Sequence, residues 1–299
     1  MQRILNGSRF FLGVLIAFVL INSFGTARAE KPINGLIMLI EFEKIDGIRH
    51  WERELDKRGL TSLIQAQHNV LQEYPDDFER LAGKGYPISG IYAEKAFWDV
   101  PYDEQLTHMR EVKAAVENIT HRPMRVFGSR YFAYDENTLR VADALGIDYV
   151  LARGTAGALA TIYAPREYKA KIISVSNVPF AEMGTGSLCD YSLWARGSRG
   201  SDFAVVAEKV LASSPTDLIL VSHAYIGGMY KEWWQVYEAA LADKRVNWRS
   251  FDAWVHSVNV SALPLAEVPV NREVKYDTPK PAVPLPKLEL LPEFLRKSD

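Results

Sequence analysis

The sequence contains a single cysteine, Cys189, among its 299 residues. One cysteine cannot form a disulfide within the chain, and it cannot supply a cysteine zinc cluster. The net charge is also small, because the sequence has 35 lysine and arginine residues and 37 aspartate and glutamate residues. A near-neutral chain lacks the basic surface that marks nucleic-acid binding. We therefore predict neither a disulfide scaffold nor a partner among the nucleic acids.

Paired histidines are missing as well. The six histidines of the sequence are His50, His68, His108, His121, His223 and His256. No two of them lie three or four residues apart. A catalytic zinc site needs three protein ligands and one open position, and no obvious set of residues offers them. We predict that the protein holds no metal and uses no cofactor.

Long apolar runs are absent beyond the amino terminus. Arg3 and Arg9 precede the apolar residues 10–24, and Ala27 and Ala29 follow with the spacing of a cleavage site. This order is typical of a secretory signal peptide. The run is shorter than the ~20 residues that cross a bilayer, which argues against an uncleaved anchor. We predict that residues 1–29 are removed and that the mature chain, without a membrane span, is periplasmic or secreted.

Short apolar runs alternate with amphipathic stretches through most of the chain. After Pro101, five apolar residues share one face at helical spacing and predict a helix. The other predicted helices cover residues 46–57, 69–82, 136–145, 202–212 and 231–242, and the predicted strands cover residues 35–43, 61–66, 87–93, 125–127, 148–151, 171–178 and 218–222. Such alternation indicates an α/β fold with parallel strands, and this many units favour a closed barrel over an open sheet. In barrels of this kind the active site lies where the strands end.

Prolines concentrate at the carboxyl terminus. Seven of the fifteen prolines lie between residues 264 and 292. Proline fixes φ and removes a backbone donor, so this segment is a poor helix or central strand. We predict one barrel domain over residues 30–258 and an extended tail over residues 259–299.

Several phrases resemble the NodB-type polysaccharide deacetylase family. Residues 73–89 read EYPDDFERLAGKGYPIS, residues 122–127 read RPMRVF, residues 131–135 read YFAYD and residues 220–223 read LVSH. Together with the order of the elements, they extend the resemblance over residues 35–256. The resemblance implies a distorted (β/α) barrel of the polysaccharide deacetylase type. It also implies a polysaccharide or oligosaccharide as the partner.

The resemblance places Glu43 at the position of the family's carboxylate base. Lys44 falls where the family has its metal-binding aspartate, and Ile91 and Lys95 fall where it has two metal-binding histidines. Isoleucine has no donor atom, and a protonated lysine repels a cation. The divalent ion that polarises the acyl oxygen and acidifies water in the family therefore has no matching ligands here.

Two further family positions are retained. Tyr131 matches the tyrosine whose neighbouring backbone helps to hold the oxyanion, and Arg130 precedes it. His223 matches the general acid, which donates a proton to a leaving amine. In an active protein, Glu43 would act as the base, with Lys44, Lys95 or Arg130 stabilising the oxyanion.

Each of these residues also has an ordinary structural explanation. Glu43 and Lys44 could form a surface ion pair that contributes ~1 kcal/mol or less, and Lys95 could be a solvated loop charge. Trp98 and Tyr131 could stack on sugar rings or simply pack. Asp190 is a further candidate for contact with substrate.

Three hypotheses about function follow. The first is an exported protein that removes an acyl group from an amino sugar of a cell-envelope or extracellular glycan without a divalent metal. The second is a catalytically inactive relative that binds glycan or a partner in polysaccharide biosynthesis. The third is a glycoside hydrolase that pairs Glu43 with Glu41 or Asp190.

Overall fold

The computed structural model describes residues 31–98, 100–155, 157, 159–180 and 183–270. The predicted signal peptide and most of the predicted tail lie outside these residues. In the described part of the chain, none of the helices has the length and apolar character needed to cross a bilayer.

The described residues alternate between strands and helices along most of the chain. The strands are β1 (Ile33–Glu41), β2 (Leu63–Gln67), β3 (Ile88–Tyr92), β4 (Val126–Ser129), β5 (Tyr149–Arg153), β6 (Thr161–Pro165), β7 (Lys171–Val175), β8 (Asn177–Pro179), β9 (Thr185–Ser187), β10 (Asp217–His223), β11 (Val246–Arg249) and β12 (Val260–Leu263). The helices are α1 (Asp46–Asp56), α2 (His68–Glu73), α3 (Pro75–Gly83), α4 (Tyr102–Thr120), α5 (Glu136–Leu145), α6 (Asp190–Trp194), α7 (Gly200–Ala212), α8 (Ala224–Gly227), α9 (Lys231–Ala242) and α10 (Phe251–Ser257). The predicted α/β class is confirmed.

The main sheet runs in the order β10-β1-β2-β3-β4-β5-β7-β6-β12, with β11 also paired to β1. Neighbouring strands are parallel except for β6 and β7. Within the described residues, β10 and β12 remain the two ends of this order. The sheet is therefore a curled half-barrel, and the expectation of a closed barrel is wrong.

Two apolar layers cover the two faces of the sheet, because successive side chains of a strand point to opposite faces. On β1, Leu36, Met38 and Ile40 belong to the inner layer, whereas Ile37 and Leu39 pack in the layer that contacts the helices. Helix α10 contributes to the inner layer and thereby covers one end of the half-barrel. The continuous apolar run of β1 is thus required by burial on both sides.

Local sequence signals set several element boundaries. Asp135 caps α5 in a reciprocal capping box with Thr138, and Gly146 ends the helix at φ 68°, so the predicted range 136–145 matches. The predicted helix 69–82 is instead two helices that meet at Tyr74. A residue before proline disfavours helical backbone angles, and Pro75 therefore separates α2 from α3.

The sheet continues past residue 258, where the sequence placed the end of the barrel domain. Strand β12 pairs with β6 in parallel, and Val270 forms a bridge with Gly154. Leu265, Val268 and Val270 are all buried. Residues 260–270 of the predicted tail therefore pack against the rest of the sheet as a strand followed by a 3-10 turn at Leu265–Glu267.

Candidate active site

A pocket of about 320 Å³ lies at the carboxyl ends of the parallel strands. Ile40 and His223 face each other there, because β1 and β10 pair in that register. Five aromatic residues contribute to its wall: Phe42, Tyr131, Phe132, Tyr191 and Tyr225. This is the end of a parallel α/β sheet at which ligands generally bind.

His223 is held in place by Asp190. The side chain of His223 is 10% exposed, and its Nδ1 lies 3.3 Å from Oδ1 of the fully buried Asp190. Oδ1 also accepts hydrogen bonds from the backbone N–H groups of Tyr191 and His223 itself, at 2.6 and 2.9 Å. The Ser222 hydroxyl donates to Oδ2 at 2.9 Å. These four contacts fix the carboxylate and, through it, the imidazole.

The electrostatics of this pair favour a charged imidazole. Burial alone would lower the pKa of His223, but contact with Asp190 and Cys189 outweighs burial and raises that pKa to about 9. His223 therefore carries a proton at neutral pH and can donate it to a leaving group.

Aromatic rings surround the imidazole on three sides. The ring centroids of Tyr191, Phe42 and Tyr225 lie 4.6, 5.6 and 6.0 Å from that of His223. Aromatic faces of this kind can pack against the C–H face of a sugar ring as well as against each other. The pocket is thus apolar except for a few placed polar groups, as small-ligand sites usually are.

One rim of the pocket is a strained turn that follows β4. Tyr131 and Phe132 both have positive φ, at 64° and 55°, which is uncommon for residues other than glycine. The Ser129 hydroxyl spans this turn and donates to the carbonyl of Ala133 at 2.6 Å. The guanidinium of Arg130 lies over the Tyr131 ring, 4.9 Å from its centroid.

Trp98 extends this rim without entering the pocket wall. Its ring is stacked with that of Tyr131 at a centroid distance of 6.5 Å. The structure therefore brings Arg130, Tyr131 and Trp98 together on one side and Asp190 and His223 on the other.

The remaining predicted site residues lie outside the pocket wall. Glu43 and Lys44 are exposed in the segment after β1. Lys95 is also exposed and forms an ion pair with Glu104 of α4. Glu43, Lys44 and Lys95 therefore do not line the pocket that contains Arg130 and His223. Strand β1 ends at Glu41, and Phe42 directly after it lines the pocket.

Sequence reasoning named Glu41 only as a possible partner of Glu43 and did not predict that this carboxylate is buried at the strand end. Glu41 is fully buried, and its Oε1 accepts hydrogen bonds from the backbone N–H groups of Phe42, Glu43 and Lys44. Burial raises the pKa of Glu41 to about 7, although these three hydrogen bonds oppose the shift. The sequence feature that could have indicated this buried carboxylate is a glutamate at the end of a mostly apolar strand.

Cys189 and Arg196 are further pocket residues that the sequence did not indicate. The Arg196 guanidinium donates to the carbonyl oxygens of Met183 and Thr185, at 3.0 and 2.8 Å, so it braces the segment before α6. Cys189 lies directly before Asp190, and its Sγ accepts a hydrogen bond from the Ser192 N–H at 3.2 Å.

The residues at the family's metal positions do not fit a divalent cation. Ile91 presents an aliphatic side chain to the pocket, and Lys44 and Lys95 carry positive charge. Among the described residues, Cys189, Asp190 and His223 form a cluster whose potential ligand atoms lie within 4.8 Å of one another. Both Asp190 oxygens in that cluster already accept hydrogen bonds.

Similarity to known proteins is confined to structure. No protein-family model matches the sequence, and no curated protein sequence matches it. A candidate polysaccharide deacetylase from Mycobacterium smegmatis superposes with a TM-score of 0.60 at 9% identity, covering 79% of this chain and 95% of that one. A second candidate polysaccharide deacetylase, from Pseudomonas aeruginosa, gives a TM-score of 0.56 at 13% identity, covering 76% and 91%.

The chain has the polysaccharide deacetylase fold. This confirms the distorted (β/α) barrel that the NodB-type resemblance implied. PuuE allantoinase shares the fold too, with a TM-score of 0.55 at 13% identity over 76% of this chain and 91% of that one. At such low identities the likeness establishes the deacetylase fold and leaves activity to the site itself.

Proposed function

We propose that this protein is an exported glycan-acting protein whose pocket binds one acylated amino-sugar unit and removes the acyl group without a divalent metal. The observation that carries the proposal is the imidazole of His223, held by Asp190 inside an aromatic pocket at the strand ends. The fold is shared with polysaccharide deacetylases, which is consistent with a glycan as the ligand.

The imidazole has the role of proton donor. Departure of an amine from an acyl carbon requires a proton, and a positioned acid contributes ~10² to 10⁴-fold in rate. His223 is charged at neutral pH and has no bulk-water shell, since its side chain is nearly buried. Tyr191 and Phe42 would hold the sugar ring against it, and Arg130 at the rim supplies positive charge near the acyl oxygen.

Glu43, Lys44 and Lys95 take no part in the proposed reaction, because these residues are exposed outside the pocket wall. The third hypothesis, glycoside hydrolysis, also loses support. Its carboxylates Glu41 and Asp190 are both buried and occupied by backbone N–H donors, so neither is placed like a solvent-reaching acid or nucleophile.

A glycan-binding protein without catalysis is the second candidate. The observation that favours it is the apolar Ile91 where the fold family holds a metal ligand. Loss of the ion removes the usual means of making hydroxide near neutral pH. Binding through the aromatic wall would survive that loss.

The test is acetate release from partially N-acetylated glucosamine oligosaccharides, with EDTA present to silence contaminating metalloenzymes. Wild-type protein should release acetate, and His223→Gln should lower the rate by ~10² or more while oligosaccharide affinity stays nearly unchanged. His256→Gln is the matched control, because His256 is an exposed histidine on α10.

Acetate release at one common rate from wild type and both variants would reject the catalytic proposal. Binding without release would leave the glycan-binding candidate. New reducing ends without acetate would favour a glycosidase. The export part is tested by amino-terminal sequencing of the mature protein, which should begin at Glu30.

A further inference from the structure

The position of Cys189 is fixed by the strand that carries His223. Cys189 forms a parallel bridge with Val221 of β10, and the Val221 N–H donates to the carbonyl of Leu188 at 3.1 Å. The chain that leads into α6 is therefore anchored two residues before His223. Cys189 lines the pocket although it is only 1% exposed.

The surroundings of the thiol are those of a nucleophile rather than of a packing residue. Its Sγ, an imidazole nitrogen of His223 and a carboxylate oxygen of Asp190 lie within 4.8 Å of one another. Nδ1 of His223 is buried, and its contact with Asp190 Oδ1 at 3.3 Å is an ion pair that does not meet hydrogen-bond geometry. The Ser192 hydroxyl oxygen lies 3.0 Å from Sγ, and the Ser192 N–H points to the sulfur as well.

These contacts can stabilise a thiolate. The Ser192 hydroxyl accepts from the thiol when it is protonated, and it can rotate to donate to a thiolate, because a hydroxyl serves in either role. Together with the Ser192 N–H, a thiolate would have two hydrogen-bond donors and an imidazolium beside it. A base oriented by a third group is the arrangement that activates cysteine nucleophiles in general.

We propose that Cys189 is the acyl-accepting nucleophile of this pocket, paired with His223 and oriented by Asp190 and Ser192. The substrate class, an acylated amine or hydroxyl of a glycan, rests on the proposed function above. The assignment supplies an attacking group, which neither the exposed Glu43 nor the residues at the family's metal positions provide.

The chemistry balances in two steps. In the reactive form the proton is on His223 and Cys189 is a thiolate, and the thiolate forms a bond to the acyl carbon as the C–N or C–O bond to the sugar breaks. His223 returns the proton to the leaving nitrogen or oxygen, which leaves a thioester. Water then attacks the thioester with His223 as base, the C–S bond breaks, and carboxylic acid and the free thiol are regenerated.

The same three residues are less suited to hold a metal. Asp190 Oδ1 already accepts from two backbone N–H groups, and Oδ2 accepts from Ser222. An ion would have to share these oxygens with three hydrogen-bond donors, whereas proton transfer between Cys189 and His223 leaves all three hydrogen bonds in place.

The first experiment uses the fact that the chain has one cysteine, so every alkylation event reports on Cys189. Iodoacetamide should alkylate wild-type protein at pH 7 about tenfold faster than His223→Gln, because an unassisted thiol is only a few per cent thiolate there. His256→Gln should match wild type. A cavity opened by the substitution would speed alkylation, so slower reaction cannot come from greater access.

The second experiment traps the acyl-enzyme with p-nitrophenyl acetate, which needs no glycan site. Wild type should gain one acetyl group by intact mass together with a burst of nitrophenol, and Cys189→Ala should show neither. Ser192→Ala should weaken the burst while alkylation after denaturation stays normal. Folding of each variant is checked by its near-ultraviolet circular dichroism.

Several results overturn the assignment. Equal alkylation rates of wild type and His223→Gln would show that His223 does not activate the Cys189 thiol. An acetyl group that persists in Cys189→Ala places the nucleophile elsewhere. Tightly bound zinc that protects the thiol from iodoacetamide makes the cluster a metal site. If Cys189 is acetylated but oligosaccharides release no acetate, the role of Cys189 as nucleophile stands and the proposed glycan substrate is rejected. If Cys189→Ala deacetylates oligosaccharides at the wild-type rate, the glycan substrate stands and the role of Cys189 as nucleophile is rejected.

Discussion

The free energy of unfolding should depend on pH through the titration of Glu41. This residue closes β1 on the face that packs toward the helices, in line with Leu39, which is why its carboxyl is fully buried. Oε1 accepts three backbone N–H groups, whereas Oε2 has no hydrogen-bond partner among the described residues. We consider the substitution Glu41→Gln, which keeps the acceptor oxygen and removes the titration.

The magnitude follows from the pKa. Burial raises the pKa of Glu41 from its ordinary 4.5 to about 7 in the folded protein. A carboxyl with a raised pKa binds its proton more tightly when folded, so ionisation costs stability. The cost is absent below pH 4.5, grows as the pH rises through the folded pKa, and reaches about 3 kcal/mol above it.

Urea unfolding at a series of pH values between 4.5 and 8 measures this cost. The free energy of unfolding of Glu41→Gln minus that of wild type should rise by about 3 kcal/mol across the series. The new amide N–H₂ in place of Oε2 adds an offset, but that offset does not vary with pH. Glu43→Gln is the matched control, because Glu43 is exposed, and it should follow wild type within ~0.5 kcal/mol. Parallel curves for Glu41→Gln and wild type would refute the reasoning.

Three further outcomes are expected. Elemental analysis of the purified protein should find no stoichiometric zinc, cobalt or nickel, and about one tightly held ion per chain would contradict this. Gly227→Ala should abolish site function and lower stability, because a Cβ there would lie 2.6 Å from Oδ2 of Asp190; Gly83→Ala, whose Cβ meets nothing within 4 Å, should be neutral or stabilising. Deleting residues 265–299 should lower the Tm well below that of the chain lacking only residues 271–299, since the longer deletion removes three buried aliphatic side chains worth ~1.5–3 kcal/mol each; equal Tm values would show that they contribute nothing.

The sequence predicted elements whose signals are local. Helix α5 was bounded correctly by Asp135 and Gly146, and the apolar run that becomes β10 led directly to His223. Periodicity and caps are properties of neighbouring residues, so they can be read without the fold. The family resemblance then supplied the barrel that connects these elements.

Contacts between distant segments were beyond such reasoning. Cys189 meets His223 only because residues before α6 bridge to β10. In the sequence, β12 is an extended segment next to a proline. It becomes a strand only because it pairs with the edge of β6 in the fold. Glu43 was chosen over Glu41 by alignment to a motif, whereas Glu41 is the buried one because β1 ends there and its side chain shares the face of Leu39.

The turn at Tyr131 and Phe132 has a consequence for the thermodynamics of ligand binding. Each left-handed residue costs roughly 1–2 kcal/mol of backbone energy, and that cost is already included in the folding of the empty protein. The rim aromatics therefore need not be ordered when a ligand arrives, and little conformational entropy is lost at that moment. We expect association at this rim to be fast and enthalpic, with affinity set by how well a flat ligand face matches rings that are already in place.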